Sequence, residues 1–216
     1  ILTLANSVSA KELNIAYKNA LKFALSYENP NKDTLEKPNI LIIGDSIAND
    51  YSKYLRYLIS SSHDIYKYDS DQYTDIGLLN IDEYLKKHNW DLVLFNFGLH
   101  DLLPIKKDKK RNDLISYKKN LYQIVGKLKK SNASLIWLTT SPVPNYTNNP
   151  YRVANSQKEY NEVAKNIMKD YGIKVCDIED FLNSSSKISV YQKSRDVHLT
   201  EEGSLFIAYK IITKCM

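Results

Sequence analysis

Short apolar runs bounded by turn residues alternate with stretches of helical spacing along most of this chain. That alternation limits the possible folds more than any other feature of the sequence. Asn39 to Ile43, His63 to Tyr68, Asp91 to Phe97, Ser134 to Thr140 and Ile173 to Asp177 read as strands, the second being the weakest. Between them, Ile47 to Ile59, Leu78 to Lys87, Leu114 to Leu128 and Ser156 to Tyr171 carry apolar residues at helical spacing, and Thr200 to Ile212 closes the series. Gly172 stops the helix before it, and Thr200, Glu201 and Glu202 suit the first turn of the last helix. Strands that alternate with helices predict a parallel sheet covered by helices on both faces. In such open sheets ligands bind beyond the carboxyl ends of the strands. Polar residues that follow strands are therefore where chemistry is to be sought.

Length and composition narrow the classes further. A chain of 216 residues suits one domain with a core large enough to need no staple. Apolar residues make up 43% and charged residues 25%, which excludes wholesale disorder and collagen-like or disulfide-dense scaffolds. No apolar run approaches the roughly 18 residues of a membrane span, so stable membrane insertion is not expected. The net charge of +5 is a mild excess. Its one dense cluster, Lys106, Lys107, Lys109, Lys110 and Arg111, is interrupted by Asp108 and flanked by Asp113. It reads as a solvated loop, and nucleic acid is not an expected partner. Neither GxxxxGK[ST] nor GxGxxG occurs, which removes the best sequence support for a nucleotide- or flavin-binding fold. Cys176 and Cys215 form no CxxC and have no histidine cluster nearby, so no metal is expected. Two buried thiols and one disulfide are equally compatible with them.

The first residues carry a different signal. Ile1 to Ala10 (ILTLANSVSA) is apolar and ends in Val8-Ser9-Ala10, like the tail of a secretory signal peptide. The alternative is the first turn of a helix. Export to the periplasm or medium is the expectation, with the cytoplasm as the other reading. Lys11 to Tyr27 has helical spacing, with Leu13, Ala16, Leu21, Ala24 and Leu25 near one face, and Asn29-Pro30 and Lys37-Pro38 punctuate a linker. The expected organisation is a leader remnant over 1–10, a helix and linker over 11–38, and the main domain over 39–216.

Three strand ends hold candidate chemistry. Gly44-Asp45-Ser46-Ile47 follows the first strand and leads at once into a helix. A serine at that turn has its hydroxyl at the rim of the sheet and its N–H among the unpaired donors of a helix start. A plain N-cap is the bland reading. Asn96-Phe97-Gly98-Leu99-His100-Asp101 follows the third strand, where Gly98 permits a tight exit and His100 offers a donor. Asp196-Val197-His198 precedes the last helix. A carboxylate beside a histidine orients the ring and stabilises the imidazolium, and a neutral histidine is a general base near pH 7. Nucleophile, base and orienter at the ends of one sheet form the constellation of acyl transfer.

With these residues in view, the chain resembles the SGNH hydrolases, also called GDSL esterases and lipases. The matching pieces are Gly44-Asp45-Ser46-Ile47, Gly98-Leu99-His100-Asp101 and Asp196-Val197-His198-Leu199, in family order, within a stretch from 39 to about 210. They are similar to a subgroup with a GLHD third block and a DVH last block. The resemblance implies a flavodoxin-like three-layer α/β/α sandwich with a five-stranded parallel sheet, ester hydrolysis and no cofactor. It makes Ser46 the nucleophile, His198 the base and Asp196 the orienting carboxylate, two residues before the histidine where the family usually has three. Ser46 N–H and His100, the latter at the usual asparagine position, would form the oxyanion hole, with Asn96 as a further candidate. The second-block glycine should fall near Asp71 to Thr74, but the nearest is Gly77, so a main-chain N–H of Gln72 or Tyr73 would serve.

The function expected is hydrolysis of an acyl ester, chiefly acetyl, on a carbohydrate. Alternatives are a lipase, lysophospholipase or thioesterase acting on longer acyl chains, or an inactive carbohydrate-binding module that keeps the fold. Tyr146 and Tyr151, in the loop Ser141 to Arg152, would either stack on a sugar ring or simply pack the loop.

Overall fold

The computed structural model describes residues 37–68, 73–106, 109–145, 147 and 151–216. The expected leader remnant, and all of the expected N-terminal helix and linker but Lys37 and Pro38, lie outside the described residues.

Five strands, β1 (Asn39–Ile43), β2 (Asp64–Lys67), β3 (Leu92–Phe95), β6 (Ser134–Leu138) and β7 (Lys174–Cys176), form a parallel sheet in the order β2-β1-β3-β6-β7. The described helices are α1 (Ser46–Ile59), α2 (Thr74–Lys86), α3 (Leu114–Leu128), α4 (Gln157–Asp170), α5 (Ile178–Asn183), α6 (Ile188–Tyr191) and α7 (Glu201–Lys210), which runs into a π-helical turn, Ile211–Cys215. Helices α2, α3 and α4 pack in succession, while α1 packs on α7. Right-handed crossovers put these two sets on opposite faces and complete the sandwich.

Helices on both faces explain the unbroken apolar runs. Ile40, Leu41, Ile42 and Ile43 of β1 are all buried, as are Val93, Leu94 and Phe95 of β3. Trp137 of β6 meets Phe95 edge-on, with ring centroids 5.2 Å apart. The edge strand β2 is only partly buried, which suits its weaker pattern.

Several elements depart from the sequence reading, among them α5 and α6, which it did not anticipate. Helix α2 begins at Thr74, ahead of the expected Leu78, because the Asp101 carboxylate accepts from both the N–H and the hydroxyl of Thr74, at 3.0 and 2.5 Å. The basic cluster, expected as a loop, contributes to a small antiparallel ribbon in which Pro104–Lys106 (β4) pairs with Lys109–Lys110 (β5). Cys176 at the end of β7 and Cys215 in the π-helical turn form a disulfide.

The strand order carries the consequence for function. The chain leaves β1 towards β2 on one side, and β3 lies on the other. The carboxyl ends of β1 and β3 therefore bound the crevice where such sheets bind ligands. Ser46 follows β1 and Gly98 to His100 follow β3.

Candidate active site

Ser46 is the first residue of α1. Asp45 caps that helix, its carboxylate accepting from Ile47 N–H at 2.9 Å. The cap satisfies one donor of the first turn, to which the Ser46 N–H also belongs. The hydroxyl thus stands at the positive end of a helix of 14 residues.

A loop between Gln192 and Leu199 brings the histidine to it. These two residues form an isolated antiparallel bridge, and Lys193 N–H donates to His198 O at 2.9 Å. Arg195 takes a left-handed conformation, φ 56°, which turns the chain so that Asp196 points back at His198. His198 Nε2 lies 2.8 Å from Ser46 Oγ, and Nδ1 lies 2.7 Å from Asp196 Oδ1. The same oxygen accepts the His198 main-chain N–H at 3.2 Å. Burial pushes the Asp196 carboxyl up. The His198 ring and the N–H groups of His198 and Val197 outweigh it and hold the group below its ordinary value. The carboxylate is therefore ionised at neutral pH and fixes an N–H on Nδ1, which leaves Nε2 as an acceptor towards the hydroxyl.

The β3 exit supplies the second wall. Gly98 has φ +142°, and a Cβ there would stand 2.7 Å from Thr140 Oγ1, so only glycine fits. His100 sits half-buried in the turn that follows. Asn96 behaves differently from its expected role. Its amide donates to Leu138 O at 2.7 Å and to Thr140 Oγ1 at 3.3 Å, which engages its donors in joining β3 to the end of β6. Gly77 lies inside α2, where a Cβ would stand 2.3 Å from the Phe97 ring; it serves close packing. Gln72 and Tyr146 lie outside the described residues, and Tyr151 is exposed.

Two charged side chains near the site escaped the sequence reading. Arg152 is 4% exposed and its Nε donates to Leu99 O at 3.3 Å, joining the loop after β6 to the turn that carries His100. Burial pulls its guanidinium below the ordinary value, while the Asp45 and Asp196 carboxylates oppose that shift. Asp50 lies one turn beyond Ser46 on α1 and accepts the Leu199 N–H at 3.1 Å. The signal for Asp50 was its spacing of four from Ser46; Arg152 had none. Among the described residues, no cluster of His, Cys, Asp and Glu could hold a metal ion, and no helix is long and apolar enough to cross a membrane.

A parallel α/β sandwich with a serine, a histidine and an aspartate linked by hydrogen bonds at the end of its first strand is the architecture of an acyl hydrolase. The chain belongs to the GDSL-like lipase/acylhydrolase family, whose family model matches residues 42–205, and it is an ester hydrolase. No curated protein matches the chain significantly. Its fold is similar to that of solved structures at low identity. An acetyl xylan esterase, AlAXEase, is 16% identical with a TM-score of 0.70, the match covering 82% of this chain and 100% of that one. A catalytic mutant of Axe2, an acetylxylan esterase from Geobacillus stearothermophilus, is 18% identical with a TM-score of 0.67, covering 83% and 95%. A protein described as a putative platelet activating factor from Streptococcus pneumonia is 20% identical with a TM-score of 0.68, covering 94% and 92%.

Proposed function

We propose that this chain is a serine esterase that removes acetyl groups from a carbohydrate through a Ser46, His198 and Asp196 triad. The observation that carries this reading is the relay of two hydrogen bonds, 2.8 and 2.7 Å, joining Ser46 Oγ to His198 and His198 to Asp196. His198 Nε2 takes the Ser46 proton as Oγ attacks the ester carbonyl. The negative charge on the carbonyl oxygen is held by Ser46 N–H at the start of α1 and by the His100 ring. The tetrahedral intermediate collapses, the imidazolium returns the proton to the departing alcohol, and an acyl-serine is left. Water, deprotonated by the same imidazole, attacks that ester; the carboxylic acid leaves and Ser46 regains its proton. Asp196 stays ionised and balances the imidazolium in both halves. Asn96, its donors engaged at β6, is left out of the oxyanion hole.

The fold similarity to two acetyl xylan esterases supports an acetylated glycan as substrate. The Cys176–Cys215 disulfide supports an oxidising compartment, and hence export. The test is acetate release from acetylated xylan, alongside p-nitrophenyl esters from acetate to palmitate. The proposal expects acetate release and a kcat/KM that falls steeply with acyl length. Preference for the long esters would instead establish a lipase-like enzyme. No turnover of any of them would favour a binding module.

A further inference from the structure

The hydrogen bond between Ser46 Oγ and His198 Nε2 is consumed in every turnover, because its proton moves to the ring and on to the leaving group. It cannot by itself keep the base in register with the nucleophile. Asp196 does not solve this. It lies two residues from His198 on the same loop, so it holds the ring relative to the loop and not relative to α1. Beyond the packing of α7 on α1, a contact from α1 to the loop itself would hold that register.

Asp50 is placed to do so. It is four residues from Ser46 on α1, hence on the same face one turn away. Its Oδ2 accepts the main-chain N–H of Leu199, the residue after the base, at 3.1 Å. Leu199 is 2% exposed and is also held by its bridge to Gln192, so the captured N–H belongs to a well-packed point of the loop. Asp50 is half-buried, and that burial pushes its carboxyl up. The Leu199 N–H, His198, Lys193 of the loop and Lys53 of α1 oppose the shift. We infer that Asp50 is a positioning residue: it fixes the main chain at Leu199 to the helix that carries Ser46, and so holds His198 in reach through both proton transfers. This rests on the triad reading above.

The test compares Asp50→Ala, which removes the acceptor, with Asp50→Asn, whose amide oxygen can still accept the Leu199 N–H. Three quantities are measured: kcat and KM on p-nitrophenyl acetate, the second-order rate of Ser46 labelling by a fluorophosphonate, and amide hydrogen exchange at Leu199. Asp50→Ala should lower kcat and the labelling rate on the order of 10- to 100-fold, the scale set by a small misplacement of reacting groups, with KM nearly unchanged. Leu199 should lose exchange protection in that variant, and Asp50→Asn should recover all three. Wild-type rates in Asp50→Ala, or an Asp50→Asn as impaired as Asp50→Ala, would overturn the inference. If the wild type is not labelled at Ser46, the triad reading fails. The exchange of Leu199 then still decides whether Asp50 holds the loop. Melting temperatures close to wild type identify the variants as folded. Should Asp50→Ala not fold, loss of Leu199 protection in Asp50→Asn would refute the acceptor role and its retention would support it.

Discussion

Ser46 and Ser62 each lie 2.8 Å from a histidine nitrogen, Ser62 Oγ meeting His63 Nδ1. Their surroundings decide which can act as a nucleophile. Ser62 follows the carboxyl end of α1 and also donates to Ile59 O at 3.2 Å, so a developing oxyanion there would face helix carbonyls. Ser46 stands at the opposite end of the same helix, where the donors are. On this account His100→Ala lowers kcat on the order of 100-fold with KM little changed, the usual cost of one oxyanion donor. A kcat within twofold of wild type would remove His100 from the hole. Asp177 links stability to pH. Burial raises its carboxyl, but the Lys165 ammonium 2.7 Å away, the Asp180 N–H and the Thr139 hydroxyl outweigh that and hold it below its ordinary value. A depressed folded value stabilises the protein above the unfolded carboxyl range of about 4, and that stability is lost as pH falls through the folded value. Lys165→Met should therefore move acid unfolding, followed by circular dichroism, to higher pH; an unchanged midpoint would contradict it. The triad candidates were legible in the sequence because each sits in a short local motif. The engagement of Asn96 was not, because its acceptors come from β6, more than forty residues along the chain.

The longer elements followed their apolar patterns, whereas the short, locally capped α5 went unanticipated. Helix α3 spans Leu114–Leu128 as expected, with Asp113 capping it through Ser116 N–H. Patterns failed where a tertiary partner set the boundary. Asp101 draws the start of α2 back to Thr74, and Asn112 joins the same carboxylate from the segment before α3. The last helix loosens into a π-helical turn at Ile211, in the segment whose Cys215 is tied to β7. Gly203 shows how closely α7 is seated. A Cβ there would lie 1.9 Å from the Tyr191 carbonyl oxygen, a backbone atom with little freedom to move. Gly203→Ala should displace the start of α7 from the segment just before the His198 loop. The expected cost is about 3 kcal/mol of stability, read by denaturant unfolding, with a loss of esterase activity. A variant as stable as wild type would mean that the contact is more yielding than it stands.

At the scale of the molecule, the alternation of strands and helices sufficed to predict the sheet and its two covered faces. The strand order then places the candidate crevice at the ends of β1 and β3. The pairing of Cys176 with Cys215 was not legible, because spacing alone does not bring an edge strand beside the last turn. That disulfide closes a loop of 39 residues, worth about 4 kcal/mol in chain entropy. Reduction with dithiothreitol should lower the unfolding free energy by up to that amount while leaving activity at 25 °C largely intact, since Cys176 lies on the edge strand β7, with β3 and β6 between it and β1. Rapid loss of activity on reduction would contradict this separation.

Reaction of the protein with a fluorophosphonate, with the adduct mapped by mass spectrometry, identifies the nucleophile. A single adduct on Ser46 is expected, lost in Ser46→Ala together with at least about 10⁴-fold of the p-nitrophenyl acetate hydrolysis. An adduct on another residue, or hydrolysis by Ser46→Ala at the wild-type rate, would contradict it.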